Sequence, residues 1–231
     1  MIYTRKDNAP ASTPVSNSLR AIRHVAPMLV LAAVSGFAAA APVTDGIGDF
    51  LPTFTGTRGG DLDVKTAELR LDNGLFSLST TLNGAIGTTP GTIYVLGLDR
   101  GMGTARFGST FAPGILFDEV IIVPSVGAAS IRDFINNKTY ALASDAVSMV
   151  GDTLRFSFST DVATSEGFKP ADYTWDFWPR NGLGSNAQIS DFAPDAMNAR
   201  VTSSNVPEPA TLALFGFGFL GLLFARKRMK V

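Results

Sequence analysis

The sequence predicts a mainly β fold, an antiparallel β-sandwich or jelly roll placed between two hydrophobic chain ends. The chain of 231 residues contains 23 Gly and only 17% charged residues, which is typical of a turn-rich protein. Short runs of alternating apolar and polar residues recur through the central segment, residues 41–205, and turn dipeptides separate them. No part of that segment has the 3.6-residue periodicity of an amphipathic helix. About 165 residues are enough for one domain with its own core.

The most specific β element is a hairpin. Residues 67–71 and 76–82 alternate apolar and polar side chains, and Asn73-Gly74 between them is a dipeptide that favours the type I′ turn. Residues 115–123 are apolar on both faces, which predicts a central strand. The full set of predicted strands is 50–55, 67–71, 76–82, 92–98, 115–123, 131–138, 140–142, 145–150, 153–159 and 173–177.

Charge divides the chain into three segments. Residues 1–40 and residues 206–231 each carry a formal charge of +3, whereas residues 41–205 carry 11 Lys+Arg against 18 Asp+Glu, or −7. Basic ends beside hydrophobic runs indicate targeting and membrane segments. An acidic domain argues against nucleic acid as a partner.

Composition also excludes several kinds of active site. The chain has no Cys, and its one His is His24, within residues 1–40. Residues 41–205 therefore cannot form a Ser-His-Asp triad, a thiolate nucleophile or a metal site with Cys or His ligands. We predict no catalytic residue in this protein.

Residues 1–40 have the pattern of a secretory signal peptide. A basic region precedes an apolar run that ends in small residues, and Ala38 and Ala40 fit the Ala-x-Ala site of signal peptidase. The alternative is an uncleaved N-terminal helix that is buried or anchors the chain in the membrane.

Residues 206–231 have three consecutive parts. Pro207-Glu208-Pro209 comes first, an uncharged apolar run over residues 210–225 follows, and Arg226, Lys227 and Arg228 stand near the end. As a helix the run would be about 24 Å long at ~1.5 Å per residue, which predicts a short transmembrane helix with Arg226 and Lys227 reaching the interface. The positive-inside rule then places the basic end in the cytoplasm and residues 41–205 across the membrane.

This tail resembles the PEP-CTERM sorting signal of Gram-negative bacteria. The resemblance implies that an exosortase, a membrane transpeptidase-like enzyme, processes the chain near Pro207-Glu208-Pro209, with Glu208 as part of the substrate. It also implies a transient anchor in the inner membrane with the domain on the periplasmic side. Release to the cell surface or the exopolysaccharide matrix would follow. The alternative is a plain single-pass anchor.

Four aspartates suggest a cation site. Asp45, Asp49, Asp61 and Asp63 lie in the Gly-rich entry to the domain, and carboxylate oxygens from loops are ligands that suit Ca²⁺. Their spacing does not match an EF-hand loop. The alternative is that they are solvated turn formers.

One tryptophan suggests a carbohydrate site. Trp175 alternates with Tyr173 and Phe177 and is predicted to lie in the core, whereas Trp178 near the strand end could stack on a sugar ring. The strand pattern and three short stretches, residues 94–101, 172–180 and 189–195, are similar to those of domains found ahead of this sorting tail. More loosely, they resemble carbohydrate-binding or DOMON-like β-sandwiches.

A third hypothesis is a glycosidase that uses two carboxylates from the set Asp172, Asp176, Asp191 and Asp195. Asp118 and Glu119 are neighbours on a predicted strand, so alternation would send them to opposite faces. Taken together, the sequence predicts an exported, non-catalytic protein of the cell surface or matrix. The alternatives are a module that binds exopolysaccharide and a glycosidase.

Overall fold

The computed structural model describes residues 41–203, which form two six-stranded β-sheets with almost no helix. The predicted mainly antiparallel β class is confirmed. The strands are β1 (Val43–Thr44), β2 (Val64–Asp72), β3 (Leu75–Leu82), β4 (Thr92–Asp99), β5 (Glu119–Pro124), β6 (Ser130–Asp133), β7 (Lys138–Ala141), β8 (Val147–Val150), β9 (Thr153–Ser159), β10 (Thr174–Asn181), β11 (Ala199–Arg200) and β12 (Thr202–Ser203). Single 3₁₀ turns are at Gly60–Leu62, Ser144–Ala146, Pro170–Asp172 and Asn186–Gln188.

The first sheet has the order β1-β2-β3-β9-β8, and β12 also pairs with β2. The second sheet has the order β11-β10-β4-β5-β6-β7. The strand pairs are antiparallel except for β12 on β2, where Thr202 is opposite Arg70 in a parallel register. The strands that begin and end the described chain thus lie on the same strand, β2.

The main hydrophobic core lies between the two sheets. Alternate residues of the first sheet, such as Leu69, Phe76 and Phe156, are buried in one cluster with Leu96 and Trp175 of the second. Burial of alternate residues on facing sheets is the arrangement of a β-sandwich. The core position predicted for Trp175 is confirmed.

A second hydrophobic cluster covers the other face of the second sheet. Trp178 and Val95 project from that face, and Ile115, Phe117 and Phe192 pack over them from the connecting segments. The second sheet is therefore apolar on both faces, which matches a sheet buried on both sides.

The predicted hairpin is confirmed. β2 and β3 pair antiparallel, with Asp72 opposite Leu75. Asn73 and Gly74 have φ of 47° and 79°, the two positive values that a type I′ turn requires.

Two predicted strands are shorter than expected. The strand predicted at 115–123 begins only at Glu119, because Asp118 turns aside to bind the Arg100 side chain and backbone. The strand predicted at 131–138 is split into β6 and β7, because Asp133 accepts hydrogen bonds from the Ile135 and Asn136 amides and closes a turn.

At the start of the described chain, the strand predicted at 50–55 is wrong. Residues 50–55 form turns, and the first strand is β1 at Val43–Thr44. The Leu51 amide donates to Ser190 O (2.8 Å) outside any strand, so these residues are tied to the domain by single contacts.

The predicted signal peptide with Ala38 and Ala40 lies outside the described residues. The same holds for the sorting tail with Pro207, Glu208, Pro209, Arg226, Lys227 and Arg228. Among residues 41–203, no helix has the length and apolar character needed to cross a membrane.

Candidate functional site

Six aspartates from distant parts of the chain gather beside β10. We call them the acidic cluster: Asp45, Asp49, Asp63, Asp176, Asp191 and Asp195. One ligand oxygen from each of Asp45, Asp49 and Asp195 lies within 4.8 Å of the other two. The same is true of Asp49, Asp63 and Asp191. Asp49 is common to both groups, so the five carboxylates form one continuous array of oxygens.

Hydrogen bonds from backbone amides and from one side chain hold two of these carboxylates in place. Asp63, directly before β2, accepts from the Gly48 amide and from Asn83 Nδ2, each at 2.9 Å. Asp191 accepts from the Val64 amide at 2.8 Å, across 127 residues of sequence. These bonds fasten the entry segment and the segment after β10 to the start of β2.

Gly46 lies in the sequence between two further members of the cluster, Asp45 and Asp49. Gly46 lies beside the Asp49 carboxylate, and any Cβ at residue 46 would collide with Asp49 Oδ2. A side chain at residue 46 would therefore force the Asp49 carboxylate to move from its present position.

Asp176 lies behind the array and has no partner. Its side chain has 0% exposure, and neither carboxylate oxygen has a hydrogen-bond partner. It is in the middle of β10, two residues before Trp178, and its negative neighbours are Asp191, Asp45 and Asp195. Leaving a carboxylate buried and unpaired is costly.

Burial and mutual repulsion raise the pKa values of the acidic cluster. Burial, followed by the charges of Asp195 and Asp49, raises the pKa of Asp45 to about 7. Burial, with smaller contributions from the charges of Asp45 and Asp49, raises the pKa of Asp191 to about 8. The pKa of Asp176 is raised well above its ordinary value, again mainly by burial. Without a bound cation, these three carboxyl groups therefore favour the protonated form.

Within residues 41–203, no lysine or arginine forms an ion pair with a member of the acidic cluster. Asp45 Oδ2 and Asp63 Oδ1 are also buried without a hydrogen-bond partner. Chemically, the arrangement offers several carboxylate oxygens to a hard cation and no nitrogen or sulfur ligand.

The structure brings together three of the four predicted calcium ligands, Asp45, Asp49 and Asp63. Asp61 is elsewhere: its carboxylate accepts from the Thr89 amide (2.8 Å) and from the Thr89 hydroxyl (2.5 Å). Asp176, Asp191 and Asp195, which the sequence suggested only as glycosidase candidates, complete the acidic cluster. Asp172 lies in the 3₁₀ turn at Pro170–Asp172, before β10 begins.

A second set of buried charges surrounds Arg100 at the end of β4. We call it the Arg100 network: Arg100, Asp118, Glu119 and Asp133. Arg100 has 0% exposure; its Nε donates to Asp118 Oδ1 (2.7 Å), and its Nη1 lies 3.0 Å from Glu119 Oε2 without hydrogen-bond alignment. Nη2 lies 3.1 Å from Asp133 Oδ1. One buried cation thus faces three buried carboxylates.

The prediction that Asp118 and Glu119 point apart is wrong, because both contact Arg100. Strand alternation does not apply to them, since β5 begins at Glu119 and Asp118 precedes it. Both side chains are fully buried, so the Arg100 network ties loops together and offers no open carboxylate pair.

Trp178 has no exposed face for a sugar ring. It is 2% exposed, and the rings of Phe107 and Phe117 lie 5.1 and 5.3 Å from its own. Gly97 of β4 makes room beneath the indole, since a Cβ there would come within 2.7 Å of it. The alternation that distinguishes Trp175 from Trp178 is as predicted, but the outer face of this sheet is covered by loops.

The outer face of the first sheet carries a groove of about 270 Å³. Its rim is formed by side chains of β2, β3, β8 and β9, namely Glu68, Arg70, Ser77, Ser79, Ser148 and Arg155. No tryptophan or tyrosine lines this groove.

Comparison with protein families identifies the tail. Residues 205–228 match the PEP-CTERM protein-sorting motif, which confirms the resemblance inferred from Pro207-Glu208-Pro209 and the basic end. The motif marks an exported protein that an exosortase processes and whose C-terminus is anchored in the membrane beforehand. A search of curated proteins finds no match to the chain.

Proposed function

We propose that the chain delivers residues 41–205 to the cell surface or the extracellular matrix, where the domain has a non-catalytic, structural or binding role. The observation that carries this proposal is the sorting motif at residues 205–228. Signal peptidase would cut after Ala40, and the exosortase would process the chain near Pro207-Glu208-Pro209.

Two features of the domain support a non-catalytic role. Residues 41–205 contain neither His nor Cys, the side chains most often used as general base or nucleophile near neutral pH. The three carboxylates that surround Arg100 in the Arg100 network are buried on all sides. The alternative of a module that binds exopolysaccharide would need a residue other than Trp178.

The test follows both ends of the chain. The full chain is expressed in a Gram-negative host with and without an exosortase, and the termini are measured by mass spectrometry. We expect an N-terminus at Ala41 in both hosts and loss of the basic end only in the host with the exosortase. Replacing Pro207, Glu208 and Pro209 with alanine should retain the tail, whereas Thr211→Ala should leave processing unchanged.

An intact tail in the competent host would contradict the proposal, as would an N-terminus at Met1. Cell fractionation of the same cultures adds the location. The processed domain should be found at the surface or in the matrix, and a processed domain confined to the cytoplasm would contradict its export.

A further inference from the structure

We propose that the acidic cluster is a calcium site, in which Asp45, Asp49, Asp63, Asp191 and Asp195 supply the ligand oxygens. This inference is independent of how the tail is sorted. The proposed ligands differ from those suggested by the sequence. Asp61 is excluded, and Asp191 and Asp195, which follow β10, are included.

The first support is geometric. Two groups of three carboxylate oxygens lie within 4.8 Å of one another and share Asp49. At Ca–O distances of about 2.3–2.6 Å, one ion can touch oxygens that are up to roughly 5 Å apart. The oxygens of each group are therefore close enough together to contact one Ca²⁺ ion.

The second support is the set of unsatisfied oxygens. Asp176 is fully buried with both oxygens unpartnered, and its strongest charged neighbours are members of the array. Asp45 Oδ2 and Asp63 Oδ1 are buried and unpartnered as well. A folded protein rarely leaves buried acceptors without a donor or a cation. Within residues 41–203 no lysine or arginine is paired with these carboxylates, so a bound cation would supply the missing positive charge.

The chemistry of the donors selects calcium. The ligands are all carboxylates and come from loops, which suits the high and irregular coordination number of Ca²⁺. Mg²⁺ keeps a compact octahedron with several waters, and zinc prefers nitrogen and sulfur ligands. Extracellular modules bind Ca²⁺ at about 10⁻⁴–10⁻³ M, a range suited to an exported protein.

The ion would join three segments that lie far apart in the sequence. Asp45 and Asp49 belong to the entry segment after β1, Asp63 precedes β2, and Asp191 and Asp195 follow β10. Calcium would therefore hold the entry segment against both sheets, and its removal should loosen residues 45–51 first.

The experiment uses the full chain in detergent, with the metal removed by a chelator. Ca²⁺ is added to about 1 mM while the thermal midpoint is followed. Tb³⁺, which has similar oxygen chemistry, is added in a second series with excitation of tryptophan. Trp178 is two residues from Asp176, so a bound Tb³⁺ should emit by energy transfer and Ca²⁺ should displace it.

Asp49→Asn is the informative variant, because Asp49 is exposed and serves both groups of ligands. We expect Ca²⁺ affinity to fall by at least about 10- to 100-fold, because a loss of that size is usual even when the mutated residue only hydrogen-bonds to a metal ligand. In the absence of metal this variant should be as stable as the parent or more stable, since a repelling charge is removed. Asp195→Asn should behave alike. Asp161→Asn, an exposed carboxylate outside the acidic cluster, is the matched control and should keep the full response.

Three results would overturn the proposal. The first is a parent protein with neither a thermal shift nor sensitised Tb³⁺ emission. The second is an equal shift with KCl of matched ionic strength or with Mg²⁺ at the same concentration. The third is an undiminished response in the double variant Asp49→Asn/Asp195→Asn.

Discussion

At the scale of single residues, the Arg100 network contains more negative than positive charge. Three buried carboxylates share one guanidinium, so complete ionisation would leave an uncompensated charge in the interior. Burial raises the pKa of Glu119 to about 8, opposed by Arg100 and assisted by Asp133 and Asp118. Burial also favours the neutral form of Asp133, but hydrogen bonds from Asn136 and Arg100 outweigh it and lower the pKa of Asp133 to about 2. Glu119 is therefore the member that holds a proton.

This assignment predicts a pH dependence of stability. The pKa of Glu119 is higher in the folded than in the unfolded chain, so the folded state binds more protons between about pH 4.5 and pH 8. The free energy of unfolding should therefore fall as the pH rises through that window. Glu119→Gln should flatten the decline, as measured by urea unfolding at several pH values between ~5 and ~8.

The pH dependence of the free energy of unfolding is compared between Glu119→Gln and the parent. The acidic cluster contributes a slope of the same sign to both proteins, so the difference between them reports on Glu119. Glu68→Gln, which changes a carboxylate paired with Arg70 near the surface, is the control and should keep the parental slope. Equal slopes for Glu119→Gln and the parent would contradict the assignment of the proton to Glu119.

The sequence could not predict the Arg100 network. Asp118 and Asp133 follow Arg100 by 18 and 33 residues, and only the pairing of β4, β5 and β6 brings them to one place. A sequence pattern reports which side of a strand a residue faces. It does not report which charged residues meet where several strands end.

At the scale of elements, every strand of seven residues or more was predicted: turn residues on either side indicated β4, and hydrophobic alternation indicated β2, β3, β9 and β10. It failed for two-residue strands such as β1, β11 and β12, which contain too few residues to show a period. It also failed at residues 115–118, where apolar residues fill the second hydrophobic cluster from a loop. These buried residues resemble a strand in sequence, but their only β pairing among the described residues is the single bridge between Phe117 and Thr104.

The hairpin turn supplies a prediction at this scale. Gly74 has φ of 79°, a region that costs L-residues about 1–2 kcal/mol. Gly74→Ala should lower the free energy of unfolding by about that amount, measured by urea unfolding. Gly184→Ala is the control: φ is not positive there, and an added Cβ meets only Gln188 Oε1 at 3.5 Å, an ordinary contact. A smaller loss at Gly74 than at Gly184 would contradict the turn assignment.

At the scale of the whole molecule, the acidic cluster shows what a single sequence can and cannot indicate. Asp45, Asp49 and Asp63 were predicted to act together because they are close in sequence. Asp176, Asp191 and Asp195 join them because residues 189–193 run along β10, where Phe177 pairs with Ala193. That pairing depends on the tertiary fold. The sequence analysis therefore named these three residues only as glycosidase candidates and not as cation ligands.

The short distance from the folded domain to the sorting motif gives a further prediction. β12 ends at Ser203, and the stretch from Ser203 to Pro207 reaches about 14 Å at most when fully extended. The exosortase would have to act close to the edge of the first sheet. A Gly/Ser linker inserted between Ser203 and Ser204 should therefore accelerate processing, measured as the rate of tail loss in the host with the exosortase.

The same linker inserted beside Leu183, an exposed residue in the loop after β10, is the control and should leave the rate unchanged. Equal rates for both insertions would contradict the idea that the sheet edge restricts access to the motif.

The pairing of β1 and β12 with β2 has one more consequence, for the solubility of the exported domain. Unpaired N–H and C=O groups along a sheet edge are a template on which a second molecule can add a strand and begin a fibril. Here the first and last strands of the described chain cover parts of that edge, at Thr66–Ala67 and at Arg70–Leu71. Cleavage that leaves both strands in place therefore keeps these parts of β2 covered, whereas a cut a few residues further into the domain would expose them as a template for strand addition.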